Sequence, residues 1–301
     1  MLYPPRRAAQ GWIQTERGGY NGNREPALAR MKIAFIGGGN MANAIIGGLL
    51  QKGVAAGQIS VVEIDADARA RLSERLHVVT TSDVAQAVQD VAVVVLAVKP
   101  QQLREVASQL RPRLARQLVI SIAAGIRSAD LARWLGGYAR IVRAMPNTPA
   151  LVLAGVSALY AMPGANEQDR QTATSILQSV GTTLWVDREE LMDAVTAVSG
   201  SGPAYVFYVM EAMMQAGEEL GLSAAAARQL TLETFVGAAA LARQSDEPAS
   251  MLRKRVTSKG GTTERAIQSL DAQQIKTHFV EAVRQAALRS RELGDELGKA
   301  D

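Results

Sequence analysis

Two short stretches place reactive and anion-seeking groups next to one another. In "GGGNMA", Gly37, Gly39 and Ala42 stand in a G-x-G-x-x-A arrangement, after an apolar run and before a helix-like segment. Gly37 permits a tight turn, Gly39 lets a pyrophosphate reach the main chain, and Ala42 lets the next helix pack close to the strand. Asn40 and Met41 lie at that helix start, where free N–H groups favour phosphate. The arrangement implies dinucleotide binding; the plain alternative is a structural turn. The second stretch is "VTSKGGTTERAIQSL", residues 256–270. Gly260 and Gly261 lack a Cβ, so main-chain N–H groups there can curl around a carboxylate. Thr262 and Thr263 then open a helix whose free N–H groups favour negative charge, and Ser258 adds a hydroxyl. This reads as an anion-binding corner. The same residues also fit an ordinary loop with a threonine cap.

Three further sets belong to the same chemistry. Glu63 lies 21 residues beyond Ala42, near the end of the second strand. A carboxylate there accepts bonds from the adenine ribose hydroxyls and repels a 2′-phosphate, which favours NADH. Asp65 is the alternative selector. Use of NADPH stays open because Arg69 and Arg71 follow on a helix and can swing over a phosphate. "LAVKPQ" puts Ala97, Lys99 and Pro100 at the carboxyl end of the most apolar strand, the end that faces a cofactor crevice in a parallel sheet. Lys99 is a candidate catalytic residue there, against the reading of a surface lysine. In "RAMPNTPA", Met145 and Pro146 are placed to line the nicotinamide side, with Asn147 and Thr148 as polar neighbours; the alternative is a proline-fixed loop with an Asn turn.

Composition removes other chemistries. The chain has no cysteine, which excludes disulfides, thiolate metal sites and cysteine nucleophiles. With only His77 and His278, no metal site is expected. Residues 1–30 carry five arginines against two glutamates, leaving only +1 of the net +4 for the remaining 271 residues. No nucleic-acid partner is expected of such a body. "RKR" at 253–255 reads as a solvated helix face, and no apolar run is long enough for a membrane span. A cytoplasmic location is expected. Residues 1–30 show no periodicity and read as a disordered extension; Met31-Lys32 leads directly into a strand, where translation itself could begin.

The elements that must position these groups follow from periodicity. Strands are predicted near residues 32–36, 59–63 and 91–98, then in "LVISIAAG", "ARIVRAMPN", "GVSALYAM" and "TTLWV". Helices are predicted over 40–52, in "DARARLSER", and near 101–110, 128–135 and 167–180. This alternation calls for an α/β fold, a Rossmann-type, mostly parallel sheet over residues 31–190. From 191 to 301 the chain reads as all-helical. Pro203 should sit near a helix start and Ser223 should cap a long helix. Residues 203–210 are uncharged on every side, so that helix start should be buried, within one chain or between subunits. The methionines at 210, 213 and 214 read as helix packing, and His278 as buried or interfacial.

Together, "FIGGGNMA", "AVKPQ", "RAMPNTPA", "VSGSGPAYVF" and "VTSKGGTTERAI" resemble the pyrroline-5-carboxylate reductase family, from Met31 to about Gly298. The first motif is shared by many dehydrogenases; the last two, in this order, are far more specific. The resemblance implies reduction of L-1-pyrroline-5-carboxylate to L-proline with NADPH or NADH, the last step of proline biosynthesis. It implies helical domains interlocked in a homodimer, with decamers in many members. It further implies substrate contacts from Ser258, Gly260, Gly261, Thr262 and Thr263, with Thr263 next to the ring nitrogen. Lys259 stands where some members have proline. Two rival readings are a dehydrogenase of β-hydroxy or other small acids and a nonenzymatic dinucleotide sensor.

Overall fold

The computed structural model describes residues 31–299; the extension expected over residues 1–30 lies outside the described residues. The first part alternates β1 (Ile33–Ile36), α1 (Asn40–Gln51), β2 (Ile59–Val62), α2 (Ala66–Leu76), β3 (Val79–Thr81), α3 (Val84–Ala87), β4 (Val93–Leu96), α4 (Leu103–Leu110), β5 (Leu118–Ser121), α5 (Ser128–Trp134) and β6 (Ile141–Met145). It closes with β7 (Gly155–Ala161), α6 (Glu167–Leu177) and β8 (Gly181–Trp185). The eight strands form one sheet in the order β3-β2-β1-β4-β5-β6-β7-β8. Among the described residues only the β6–β7 pair is antiparallel. The first six strands thus have the doubly wound order that puts a crevice at the carboxyl ends of β1 and β4.

Continuous apolar runs made β1 and β4 central, and every residue of both is buried. Alternate side chains feed opposite layers. Phe35, Val95 and Ile120 pack with Ile45 and Leu49 of α1; Ile36, Val94 and Val119 pack with Leu103 and Ala107 of α4. Each such large side chain contributes about 1.5–3 kcal/mol relative to exposure. β3 and α3 are additions to the sequence-predicted elements. At three and four residues they are too short to show a period, and α3 is marked mainly by Asp83, which accepts from the Ala85 N–H at 2.8 Å.

Helices follow: α7 (Leu191–Val195), a π-helical turn (Thr196–Gly200), α8 (Gly202–Glu219), α9 (Ala224–Arg243), α10 (Ala249–Arg255), α11 (Thr262–Ala272) and α12 (Ile275–Gly298). Pro203 lies in the first turn of α8, and the Ser223 hydroxyl caps α9 by accepting from Ala226 N at 3.2 Å. α12 packs back on earlier elements: Ser290 Oγ donates to Asp193 of α7 at 2.7 Å, and Arg127, just before α5, pairs with Asp295 at 2.7 Å. α8 buries no residue in the single chain, and Phe207 and Tyr208 are 58% and 74% exposed. An apolar helix start left open in this way needs a second surface. His278 is exposed in the single chain, and His77 is an exposed residue that closes α2 at φ 55°. Among the described residues no helix is long and apolar enough to cross a membrane.

Candidate active site

The glycine turn sits between β1 and α1. Gly37 adopts φ +105°, and a Cβ there would lie 2.6 Å from the Ala97 carbonyl oxygen, so no other residue fits without moving the β4 end. Gly39 faces open space at the N-cap of α1, and Ala42 is buried against the sheet. The first intrahelical bond is Asn43 N to Gly39 O at 2.9 Å, so the N–H groups of Asn40, Met41 and Ala42 have no partner within the helix. These residues fit a bound pyrophosphate: donors converge at a helix start, and nothing occupies the side of Gly39 where it would approach.

A brace invisible to motif reading holds this turn. The Asn43 amide donates to Gly38 O at 2.6 Å and Gly39 O at 2.9 Å, and Arg75 of α2 donates to Asn43 Oδ1. Tying those carbonyls back toward α1 leaves the opposite side of the turn to N–H groups. Glu63 lies just past β2; its carboxylate accepts from Gly38 N at 3.2 Å and Asp65 N at 3.1 Å. The side chain of Asp65 instead caps α2 through Ala68 N at 2.6 Å. Arg69 donates to the main-chain oxygens of Glu63 and Ile64, both at 2.8 Å, whereas Arg71 only approaches Asp65 at 3.9 Å.

Across the crevice, Ala97 continues from β4 and donates to Ile36 O at 2.8 Å. Lys99 is exposed and precedes a 3₁₀ turn that begins at Pro100. Met145 ends β6, and its Cε lies 2.6 Å from where a Cβ on Gly200 would be. Asn147 is 9% exposed and its amide is engaged at both ends: Nδ2 donates to Ser199 O at 3.1 Å and Oδ1 accepts from Val156 N at 2.9 Å.

The second motif forms a corner at the start of α11. Gly261 N donates to Ser258 O at 3.1 Å, and Gly260 turns the chain at φ +73°. Gly261 is the N-cap and no side chain caps the helix, so the threonines are the first two helical residues and not its cap. The glycines shape the turn, but their N–H groups are not free: Gly260 N donates to Glu264 Oε2 at 2.7 Å. The earliest intrahelical bond is Arg265 N to Gly261 O at 3.2 Å, which leaves the N–H groups of Thr262, Thr263 and Glu264 as the available donors. The hydroxyls of Ser258, Thr262 and Thr263 make no hydrogen bond among the described residues. No hydrogen bond or ion pair among those residues joins this corner to the glycine turn. Among them, too, no cluster of three His, Cys, Asp or Glu side chains could hold a metal.

Two stretches of the chain match known families. Residues 189–293 match the family described as pyrroline-5-carboxylate reductase dimerisation, and residues 32–125 match NADP oxidoreductase coenzyme F420-dependent. The chain is 48% identical over 273 residues to pyrroline-5-carboxylate reductase of Pseudomonas aeruginosa, covering 90% of this chain and 100% of that one. A pyrroline-5-carboxylate reductase structure from Coxiella burnetii superposes with TM-score 0.83 at 42% identity, over 87% of this chain and 98% of the other. A Plasmodium falciparum pyrroline carboxylate reductase with NADP bound gives 0.81 at 28% identity, over 89% and 100%. At this identity over most of both chains, the chain belongs to the pyrroline-5-carboxylate reductase family.

Proposed function

We propose that the chain reduces L-1-pyrroline-5-carboxylate to L-proline with NADH or NADPH, and that the α11 corner holds the substrate's acid. The observation that carries the site assignment is the trio of unpaired N–H groups at Thr262, Thr263 and Glu264, beside free hydroxyls. Such a helix entrance grips a carboxylate without an arginine. Ser258 adds a donor, and Gly260 and Gly261 keep the approach uncrowded. Thr263 Oγ hydrogen-bonds the ring nitrogen and orients the imine; a hydroxyl is a weak acid, so its role is placement. When bound, the reduced nicotinamide supplies the hydride that adds to C5 of the ring. The proton on nitrogen comes from solvent or arrives with the iminium. Lys99, at the sheet's carboxyl edge, is placed to approach substrate or cofactor.

Gly37, Gly39, Asn40, Met41 and Ala42 hold the pyrophosphate, while Ala97, Pro100 and Met145 border the nicotinamide side and Asn147, its amide taken by main-chain groups, supports that strand end. Glu63 is the selector: its carboxylate is held against the glycine turn by Gly38 N, where it would accept from the adenine ribose hydroxyls and favour NADH over NADPH. A homodimer closes the site. We place the substrate between one subunit's sheet domain, residues 31–190, and the partner's helical domain, 191–301. The bare apolar faces of α8 and α12 support this; they line a groove of about 830 Å³ with Pro203, Phe207, Phe279 and Val283. Decamers of such dimers and a cytoplasmic location complete the proposal.

A β-hydroxy-acid dehydrogenase needs an acceptor for an alcohol proton. The corner's one carboxylate, Glu264, is tied to Gly260 N instead. Oxidation of each reduced cofactor, measured with pyrroline-5-carboxylate and separately with β-keto acids, decides the matter. Turnover only with the imine supports the assignment. Turnover only with β-keto acids overturns it, and cofactor binding without any turnover leaves the nonenzymatic sensor.

A further inference from the structure

We infer that Asn147 is a positioning residue, which fixes the nicotinamide-side strand end to the entry of the helical domain and acts through Met145. The inference rests on the reductase reading above. Several observations converge. Asn147 is buried, and its amide bridges two main-chain groups from different elements: Val156 N of β7 and Ser199 O of the π-helical turn. Its orientation is dictated, since Val156 N only donates and Ser199 O only accepts. The bridged turn is itself irregular, closed by Ser201 N to Thr196 O at 2.8 Å, while Thr196 Oγ1 and Ser199 Oγ donate back to Met192 O at 2.8 Å and Val195 O at 3.0 Å. Such five-residue turns inside helical segments recur at functional sites.

The turn also touches Met145 directly, because the Met145 methyl fills the space beside the Cα of Gly200. Earlier on the same strand, Arg143 is 6% exposed and pairs with Glu189 at 2.9 Å; the same carboxylate oxygen accepts from Ser128 N at 2.7 Å. β6 and the residues just after it are therefore pinned to the domain junction twice, once by a part-buried ion pair and once by Asn147. The turn leads straight into Pro203 at the base of the apolar groove, whose lining includes Asn147 and Ser199. Seating of the helical domain and placement of Met145 thus share one amide.

A group that places Met145 affects the reacting geometry and leaves the distant pyrophosphate grip unchanged. The test compares wild type with Asn147→Asp, which keeps the acceptor for Val156 N and loses the donor to Ser199 O. Asn147→Ser is the second, smaller change should the buried charge prevent folding. Binding of NADH is read by protein fluorescence, turnover by steady-state reduction of pyrroline-5-carboxylate, and opening of residues 196–201 by amide hydrogen exchange. The expected result is a cofactor Kd within about twofold of wild type, kcat lowered about tenfold or more, and faster exchange confined to the turn. A raised cofactor Kd with unchanged kcat would make Asn147 a cofactor contact and overturn the inference. So would a lowered Tm with wild-type kcat, which marks a purely structural group. A wild-type enzyme inactive on the imine defeats the reductase reading instead, and the binding and exchange data then judge Asn147 alone.

Discussion

Replacing Glu63 by Gln removes one charge and keeps the shape. In the wild type the carboxylate is half-buried and accepts from Gly38 N and Asp65 N at 3.2 and 3.1 Å, so it cannot rotate away without orphaning two main-chain donors. A 2′-phosphate of about −2 charge at roughly 5 Å from it would be repelled by ~1.7 kcal/mol even at the dielectric constant of water, about fifteen-fold in affinity. Losing a charged acceptor for the ribose hydroxyls weakens NADH by about a further 1 kcal/mol. The two effects move the NADPH/NADH ratio of kcat/KM the same way, toward about a hundred-fold. The glutamine oxygen still accepts one of the two N–H groups, so the turn keeps its form. The assay is steady-state reduction of pyrroline-5-carboxylate with each cofactor at low and high salt. The preference for NADH proposed above should narrow with salt, because the Debye length is about 8 Å at physiological ionic strength. An NADPH/NADH ratio unchanged by Glu63→Gln, or by the harsher Glu63→Ser, refutes the reasoning and moves selection to Arg69 or Arg71.

Four further outcomes are expected. Thr263→Ala should lower kcat/KM for the imine about tenfold or more while cofactor Kd stays constant, because only the ring contact is lost; equal kinetics would remove Thr263 from the mechanism. Glu264→Gln should lower KM for the substrate several-fold, since a negative charge now sits on Gly260 N beside the acid's donors; a raised KM would show that the carboxylate organises the corner instead. Phe207→Asp, on the exposed face of α8, should give monomers with little activity by sedimentation and assay, and an active monomer would contradict the intersubunit site. Burial holds the phenols of Tyr138 and Tyr160 above their ordinary value of 10.0. The folded chain therefore keeps them neutral where the unfolded chain ionises: stability is full below pH 10 and falls as pH rises through the raised values. Urea midpoints at about pH 8 and about pH 11 should fall less when both become Phe.

The parts legible in the sequence are those with a repeated physical signal. The unbroken apolar run at β4 and the glycine turn after β1 gave the sheet, because burial on both faces and a Cβ-free turn leave marks in consecutive residues. Pro203 and Ser223 announced helix starts through a missing N–H and a capping hydroxyl. β3 and α3 left no comparable mark, being shorter than a period. The corner was legible as chemistry but not in detail. Which N–H groups stay free depends on Glu264 reaching back to Gly260 and on Gly261 bonding Ser258, and both depend on a backbone turn that residue types do not encode. The hydrogen bonds of Asn43 and Asn147 were not legible in the sequence for a related reason. An amide's partners here are main-chain groups brought together by the fold, such as Ser199, 52 positions beyond Asn147.

The most direct measurement is a structure of the dimer with reduced cofactor and an unreactive ring carboxylate in place of the imine. The acid should lie on the Thr262, Thr263 and Glu264 N–H groups, with Glu264 released from Gly260 and Thr263 Oγ at the ring nitrogen's position. An acid bound elsewhere, with the α11 corner still closed on Glu264, would contradict the account.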